Sequence, residues 1–228
     1  MKLDPKNCDA QARLARAILL QSTQLHISAR TKKDALARGA DAAEKAVAIN
    51  PSNPHAHLAM TYVHVLRGDF KRAALASEKA IQLDRNLARA HNMLANSLVH
   101  LGRASEAVIA SETALPLDPR GPHLAEFLTI LGFSRLQLRQ FDDAIACFSR
   151  ARAANPRLAR SHAGAAIALA TSGDVTGARN ATAELLALVP SYRLSQTIDA
   201  CLPTSPPEYR RFYEGILRPG AEVAGLPV

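Results

Sequence analysis

Residues 80–119 read AIQLDRNLARAHNMLANSLVHLGRASEAVIASETALPLDP, and this stretch holds the same pattern twice. Ala80 is matched by Ala114, and Leu83-Asp84-Arg85 by Leu117-Asp118-Pro119, each 34 residues on. Moving outward, a closing triplet of apolar residue, Asp or Asn, then Pro recurs at Leu3-Asp4-Pro5, Ile49-Asn50-Pro51 and Ala154-Asn155-Pro156, with a degenerate copy at Leu188-Val189-Pro190. The triplets end at residues 5, 51, 85, 119, 156 and 190, so successive spacings are 46, 34, 34, 37 and 34. Self-similarity at such a period is the mark of a repeat architecture, in which each unit covers its neighbour's apolar face.

Small residues keep the same step. Gly39, Ala73, Ala107, Ala144 and Ala178 form one series and Ala46, Ala80, Ala114 and Ala151 another, seven residues later. A separation of seven puts both series on one helical face, where small side chains admit a close neighbour. Gly68, Gly102 and Gly173 mark the turn between paired helices, with Arg139 in the same slot, and Phe70 and Phe141 follow it.

The expected helix pairs are 8–26 with 33–48, 54–66 with 70–83, 88–100 with 104–116, 124–137 with 141–153, and 159–171 with 175–188. The longer first and third units imply loops around Ser28 to Lys32 and Arg120 to Pro122. Beyond Pro190 the period fades. Pro203, Pro206 and Pro207 break the chain before an amphipathic helix at about 207–217, whose Tyr209, Phe212 and Ile216 would cap the last repeat. The array is thus read as residues 1–192, with repeats near 7–53, 54–87, 88–124, 125–158 and 159–192, and 193–228 as cap and tail.

With their 34-residue unit, paired helices and small-residue, Gly, aromatic and Pro slots, these residues resemble the tetratricopeptide repeat family. The resemblance implies an all-α fold, a right-handed α-solenoid of antiparallel helix pairs with about five repeats plus a C-terminal capping helix. The aromatic expected early in the first helix of each unit is replaced by His57, His91, Leu128 and His162. A narrower resemblance is to the C-terminal tetratricopeptide region of bacterial class III adenylate or guanylate cyclases and of some winged-helix regulators. It rests on the long first unit, Arg120-Gly121-Pro122, Tyr209 to Leu217, and Ala224-Gly225-Leu226-Pro227. It implies a regulatory repeat region separated from its catalytic or DNA-binding module.

The family's groove, lined by the first helix of each repeat, projects onto His55, Leu58, Tyr62, Arg89, Asn92, Asn96, Thr129, Phe133, Arg160 and Ile167. In that reading Asn92 and Asn96 hydrogen-bond a peptide backbone, Arg89 and Arg160 hold a carboxylate, and Tyr62 and Phe133 serve as anchors. Chaperone-binding members use a Lys/Asn/Arg clamp, whose Asn and Arg elements have counterparts here. The expected partner is a protein or peptide bound by a non-catalytic scaffold.

Other functions find less support. The net charge is +8, from 28 Lys and Arg against 20 Asp and Glu, but the basic residues are scattered and lack the interleaved aromatics that stack bases, which argues against nucleic acid. No nucleophile elbow or Gly-rich phosphate loop occurs, so neither an enzyme nor a small-molecule substrate is indicated, and no cofactor is expected. The recurrence of His57, His91 and His162 in one slot points to packing and not to a metal. Three separated cysteines, no signal core and no membrane span fit a reducing cytoplasm. Self-association into a homo-oligomer stays open.

Overall fold

The computed structural model describes residues 7–22, 29–195 and 205–228. The triplet Leu3-Asp4-Pro5, Ser28, Cys201 and Pro203 lie outside them. The described residues are all-α: α1 (Cys8–Ser22), α2 (Ala29–Ile49), α3 (Pro54–Leu66), α4 (Phe70–Leu83), α5 (Ala88–His100), α6 (Ala104–Leu117), α7 (Leu124–Gln137), α8 (Phe141–Ala154), α9 (Ala159–Ser172) and α10 (Val175–Leu188). A C-terminal helix follows as α11 (Pro207–Phe212), a π-helical turn (Tyr213–Leu217) and α12 (Arg218–Ala224). The helix pairs are those of a tetratricopeptide solenoid. Two boundaries differ from expectation. α2 starts at Ala29, so the loop read around Ser28 to Lys32 is largely helix, and the C-terminal helix runs on to Ala224.

Two compact units form, residues 1–97 and 98–228. In the first, α1 packs on α2 and α3, and α3 on α4. Its core gathers Leu19, Leu58, Tyr62, Val63 and Met93 around Ala15, Ala40, Ala43 and Ala80. In the second, α7 packs on α6 and α8, and α9 on α8 and α10. Ala46, Ala73, Ala80, Ala107, Ala114, Ala144, Ala151 and Ala178 are all fully buried, which is why those positions accept only a small side chain.

The closing triplet acquires a physical reason. Asn50, Asp84 and Asn155 each accept a hydrogen bond through their side-chain oxygen from the backbone N–H two residues on, at 3.0 Å in every case. This turn ends one helix and re-aims the chain toward the next. The recurrent histidines complete the joint: Nε2 of His57, His91 and His162 lies 2.7, 2.9 and 2.9 Å from the carbonyls of Pro51, Arg85 and Pro156, six residues back. A carbonyl only accepts, so the ring donates, and each histidine pins the turn that introduces its own helix.

Within the pairs, Gly68, Gly102 and Gly173 have φ of 72°, 76° and 97°, and Arg139 shares this left-handed geometry at 60°. The hydrogen bonds around Arg139 match those around the glycines: its N–H donates to Leu136 O, and that of Gln140 to Arg135 O at 2.9 Å. A Cβ in this region is strained by about 1–2 kcal/mol. Arg139→Gly is therefore expected to stabilise the chain by about 1 kcal/mol after glycine's entropy is discounted, read as a higher urea midpoint at unchanged slope.

Candidate functional site

The face made by the first helices of the pairs is where sequence reading places the binding residues. In residues 1–97 that face belongs to α1, α3 and α5. His55 is exposed there, whereas Leu58, Tyr62, Arg89, Asn92 and Asn96 are buried. Tyr62 and Arg89 meet: Arg89 Nε donates to Tyr62 Oη at 2.6 Å, and its guanidinium stands 5.7 Å from the centre of the Tyr62 ring. A cation this well satisfied by its own chain braces α5 against α3.

In residues 98–228, Arg160 is exposed, while Thr129, Phe133 and Ile167 are buried. The Arg160 guanidinium lies 5.0 Å from the centre of the Phe133 ring, and Phe133 meets Phe148 edge-on at 5.1 Å. Thr129 Oγ1 donates to the Ala125 carbonyl one turn back on its own helix. Eight of the ten residues are thus buried, leaving His55 and Arg160 as those with substantial exposed surface.

One feature of these faces escaped the sequence reading. Asp9, Ala12, Arg13 and Arg16 of α1 join His55 and Leu58 around a pocket of about 190 Å³. Asp9 is engaged by the Asn53 side-chain amide at 2.7 Å, while Arg13 and Arg16 make no hydrogen bond or ion pair among the described residues. The long first unit hid this site, because its irregular spacing gives no register to carry to α1; Arg13 and Arg16, three residues apart, were the available signal. The C-terminal helix is present as expected, with Tyr209, Phe212 and Ile216 on its inward face. Tyr209, Phe212, Tyr213, Ile216 and Leu217 are buried, and Tyr209 stacks obliquely on His100 at 4.8 Å.

His100, at the end of α5, has its pKa lowered to about 3, by burial first and by the Arg160 charge second. Arg103 grips Glu106 through two hydrogen bonds, at 2.7 and 2.5 Å, and so lowers the Glu106 pKa. Burial raises the thiol pKa of Cys147. Among the described residues no cluster of three metal-ligating side chains forms, and no helix is long and apolar enough to cross a membrane.

A family model described as tetratricopeptide repeat matches residues 58–122 and 131–193, together more than half of the chain. Solved structures similar to it include PilF of Pseudomonas aeruginosa, with 19% identity, 94% of this chain and 90% of that one covered, and a TM-score of 0.63. PilW, a type IV pilus biogenesis factor, has 17% identity over 91% of each chain and a TM-score of 0.68. YrrB, described as a repeat protein with an unusual peptide-binding site, has 17% identity over 86% of this chain and 93% of that one, with a TM-score of 0.55. No curated protein sequence gives a significant match. At these identities the structures speak for the fold, and the sequence match for the family: the chain belongs to the tetratricopeptide repeat family.

Proposed function

We propose that the chain is a non-catalytic scaffold that binds a peptide or protein on its first-helix faces, and that the pocket at Arg13, Arg16 and His55 takes an acidic side chain or terminal carboxylate of that partner. The observation that carries this is the pair of guanidiniums, unengaged among the described residues, beside an apolar floor, Leu58, in a pocket whose carboxylate, Asp9, is held by the Asn53 amide. A guanidinium presents a planar fork of donors that matches a carboxylate, and two of them three residues apart on one helix can converge on one anion. His55 would touch the partner directly, as would Arg160 on the second unit. Tyr62, Arg89, Asn92, Asn96, Thr129, Phe133 and Ile167 would act by shaping the wall. The peptide-binding site named for YrrB supports a peptide ligand by analogy of fold alone.

Titration with a fluorescein-labelled Glu/Asp-rich decapeptide, and with its Gln/Asn counterpart, tests the reading. Charge-assisted hydrogen bonds contribute about 1.5–3 kcal/mol each, so Arg13→Ala/Arg16→Ala should weaken the acidic peptide by about tenfold or more. The wild-type affinity should also fall with added salt. Equal binding of both peptides, or an unchanged affinity in the double variant, would overturn it.

A second reading, a regulatory repeat region that works with a cyclase or winged-helix module, is favoured by the sequence run Tyr209 to Leu217 and Ala224 to Pro227. Both stretches belong to the segment that packs within residues 98–228. A neighbouring reading frame encoding neither module would remove its support.

A further inference from the structure

We propose that the first-helix face of residues 98–228 is a receptor for an amphipathic helix, and that the chain's own segment from Ser205 to Leu226 is its resident and displaceable ligand. The partner it fits is a helix that presents two aromatic residues a turn apart, then an aliphatic pair, then a small residue. This rests on the reading of the first-helix faces as binding surfaces.

The segment has the form of a helical ligand. Tyr209, then the adjacent pairs Phe212-Tyr213, Ile216-Leu217 and Gly220-Ala221, then Ala224 are buried, one helical turn apart, while Arg211, Glu214 and Arg218 face outward. Its path is longer than closing the last helix pair requires. Tyr209 stacks on His100 at the end of α5, Gly220 meets Ile167 and Thr171 of α9, and the Pro227 carbonyl accepts from the Leu194 N–H at 2.8 Å. Ile167 is one of the residues that sequence reading assigns to the groove. The segment thus lies where a partner would lie.

Its buried face is mainly apolar and aromatic. The ion pairs Arg211–Glu208 and Arg218–Glu222, at 3.2 and 3.0 Å, close within the segment. A cleft of about 390 Å³ remains where Glu208, Arg211 and Phe212 face Gln137 and Arg139. The helix also breaks register in the π-helical turn at its centre, a feature often found at functional sites. Tethering gives the segment a high effective concentration, so an outside helix must compete with it, and loosening the tethered copy opens the face.

Gly220 supplies the test. A Cβ there would lie 2.9 Å from Ile167 Cγ2 and 3.1 Å from the Ile167 carbonyl oxygen, which is backbone and does not yield. Gly220→Leu in the full chain therefore expels the segment without altering the receptor face. A fluorescein-labelled peptide of residues 205–228 should bind this variant about tenfold or more tighter than the wild-type chain, and the same peptide carrying Gly220→Leu should not bind. Hydrogen exchange on the wild-type chain is a second measurement that needs no variant. Amides of 207–224 should exchange about tenfold or more faster than those of α7 and α9, because the segment opens alone.

Equal exchange of segment and α9 would overturn the proposal, as would a Gly220→Leu chain whose segment is released yet which takes no peptide. If the acidic decapeptide still binds through Arg13 and Arg16 in that case, only the helix-receptor proposal falls. Loss of the acidic site with peptide 205–228 still bound has the opposite meaning.

Discussion

Phe148→Ala is expected to cost about 3–5 kcal/mol. The Phe148 ring is fully buried on α8 and meets Phe133 of α7 edge-on. It is also flanked by two glycines of first helices: a Cβ at Gly132 would stand 2.7 Å from the ring, and one at Gly164 would stand 2.3 Å from it. The ring therefore fills the space that two missing side chains leave, and α7 and α9 both approach it through bare backbone. Taking it away leaves a cavity that rigid helices cannot close. The same geometry gives a sign reversal. Gly164→Ala alone overpacks the ring and should cost about 1–3 kcal/mol. In a Phe148→Ala chain the added methyl enters the vacated space, and alanine's helix preference of about 1 kcal/mol over glycine then makes the substitution stabilising. Urea unfolding of the two single variants and the double variant closes the cycle; additive losses would show that the ring and the glycine are not coupled.

Acid should unfold the protein through His100. The unfolded chain holds this histidine near its ordinary pKa of about 6.5, whereas the folded chain holds it at about 3. Between those values the unfolded state binds one more proton, so unfolding is favoured as pH falls. Above pH 6.5 both states are neutral there and His100 makes no difference. Below it, stability drops by about 1.4 kcal/mol per pH unit, about 3 kcal/mol by pH 4 and about 4 kcal/mol by pH 3, where the folded ring begins to protonate too. The groups responsible lie around the ring: the Arg160 charge opposes a second cation, and Tyr209 helps to seal it from water. His100→Gln should flatten the stability-versus-pH curve by one proton across this window, and chemical denaturation at several pH values measures it. An unchanged slope would mean that the ring accepts its proton while folded.

The period of 34 made the repeats, the turns and most helix ends legible, because each depends on residues close in sequence. Arg139 shows how strong that register is, since the left-handed turn persists where the expected glycine is absent. The histidine slot was read as packing, yet the carbonyl it grips depends on the bend of a loop, which spacing does not convey. Exposure was the least legible property. Tyr62, Asn92 and Phe133 sit on the stripe that the family leaves open, and their burial depends on contacts made across the fold. The spacing of Tyr209, Phe212 and Ile216 gave the capping helix, but a neighbour-to-neighbour pattern carries no signal for its contact with His100 at the end of α5.

The stapled joints also make the chain divisible. Pro51 stands to His57 as Arg85 stands to His91, and each joint carries its own Asn or Asp turn. Removing residues 54–87 would place His91 six positions after Pro51, restoring the same clasp from different parts. Loss or duplication of a whole unit therefore creates no foreign junction, and the length of such a protein can change in steps of one repeat by recombination while every seam stays native.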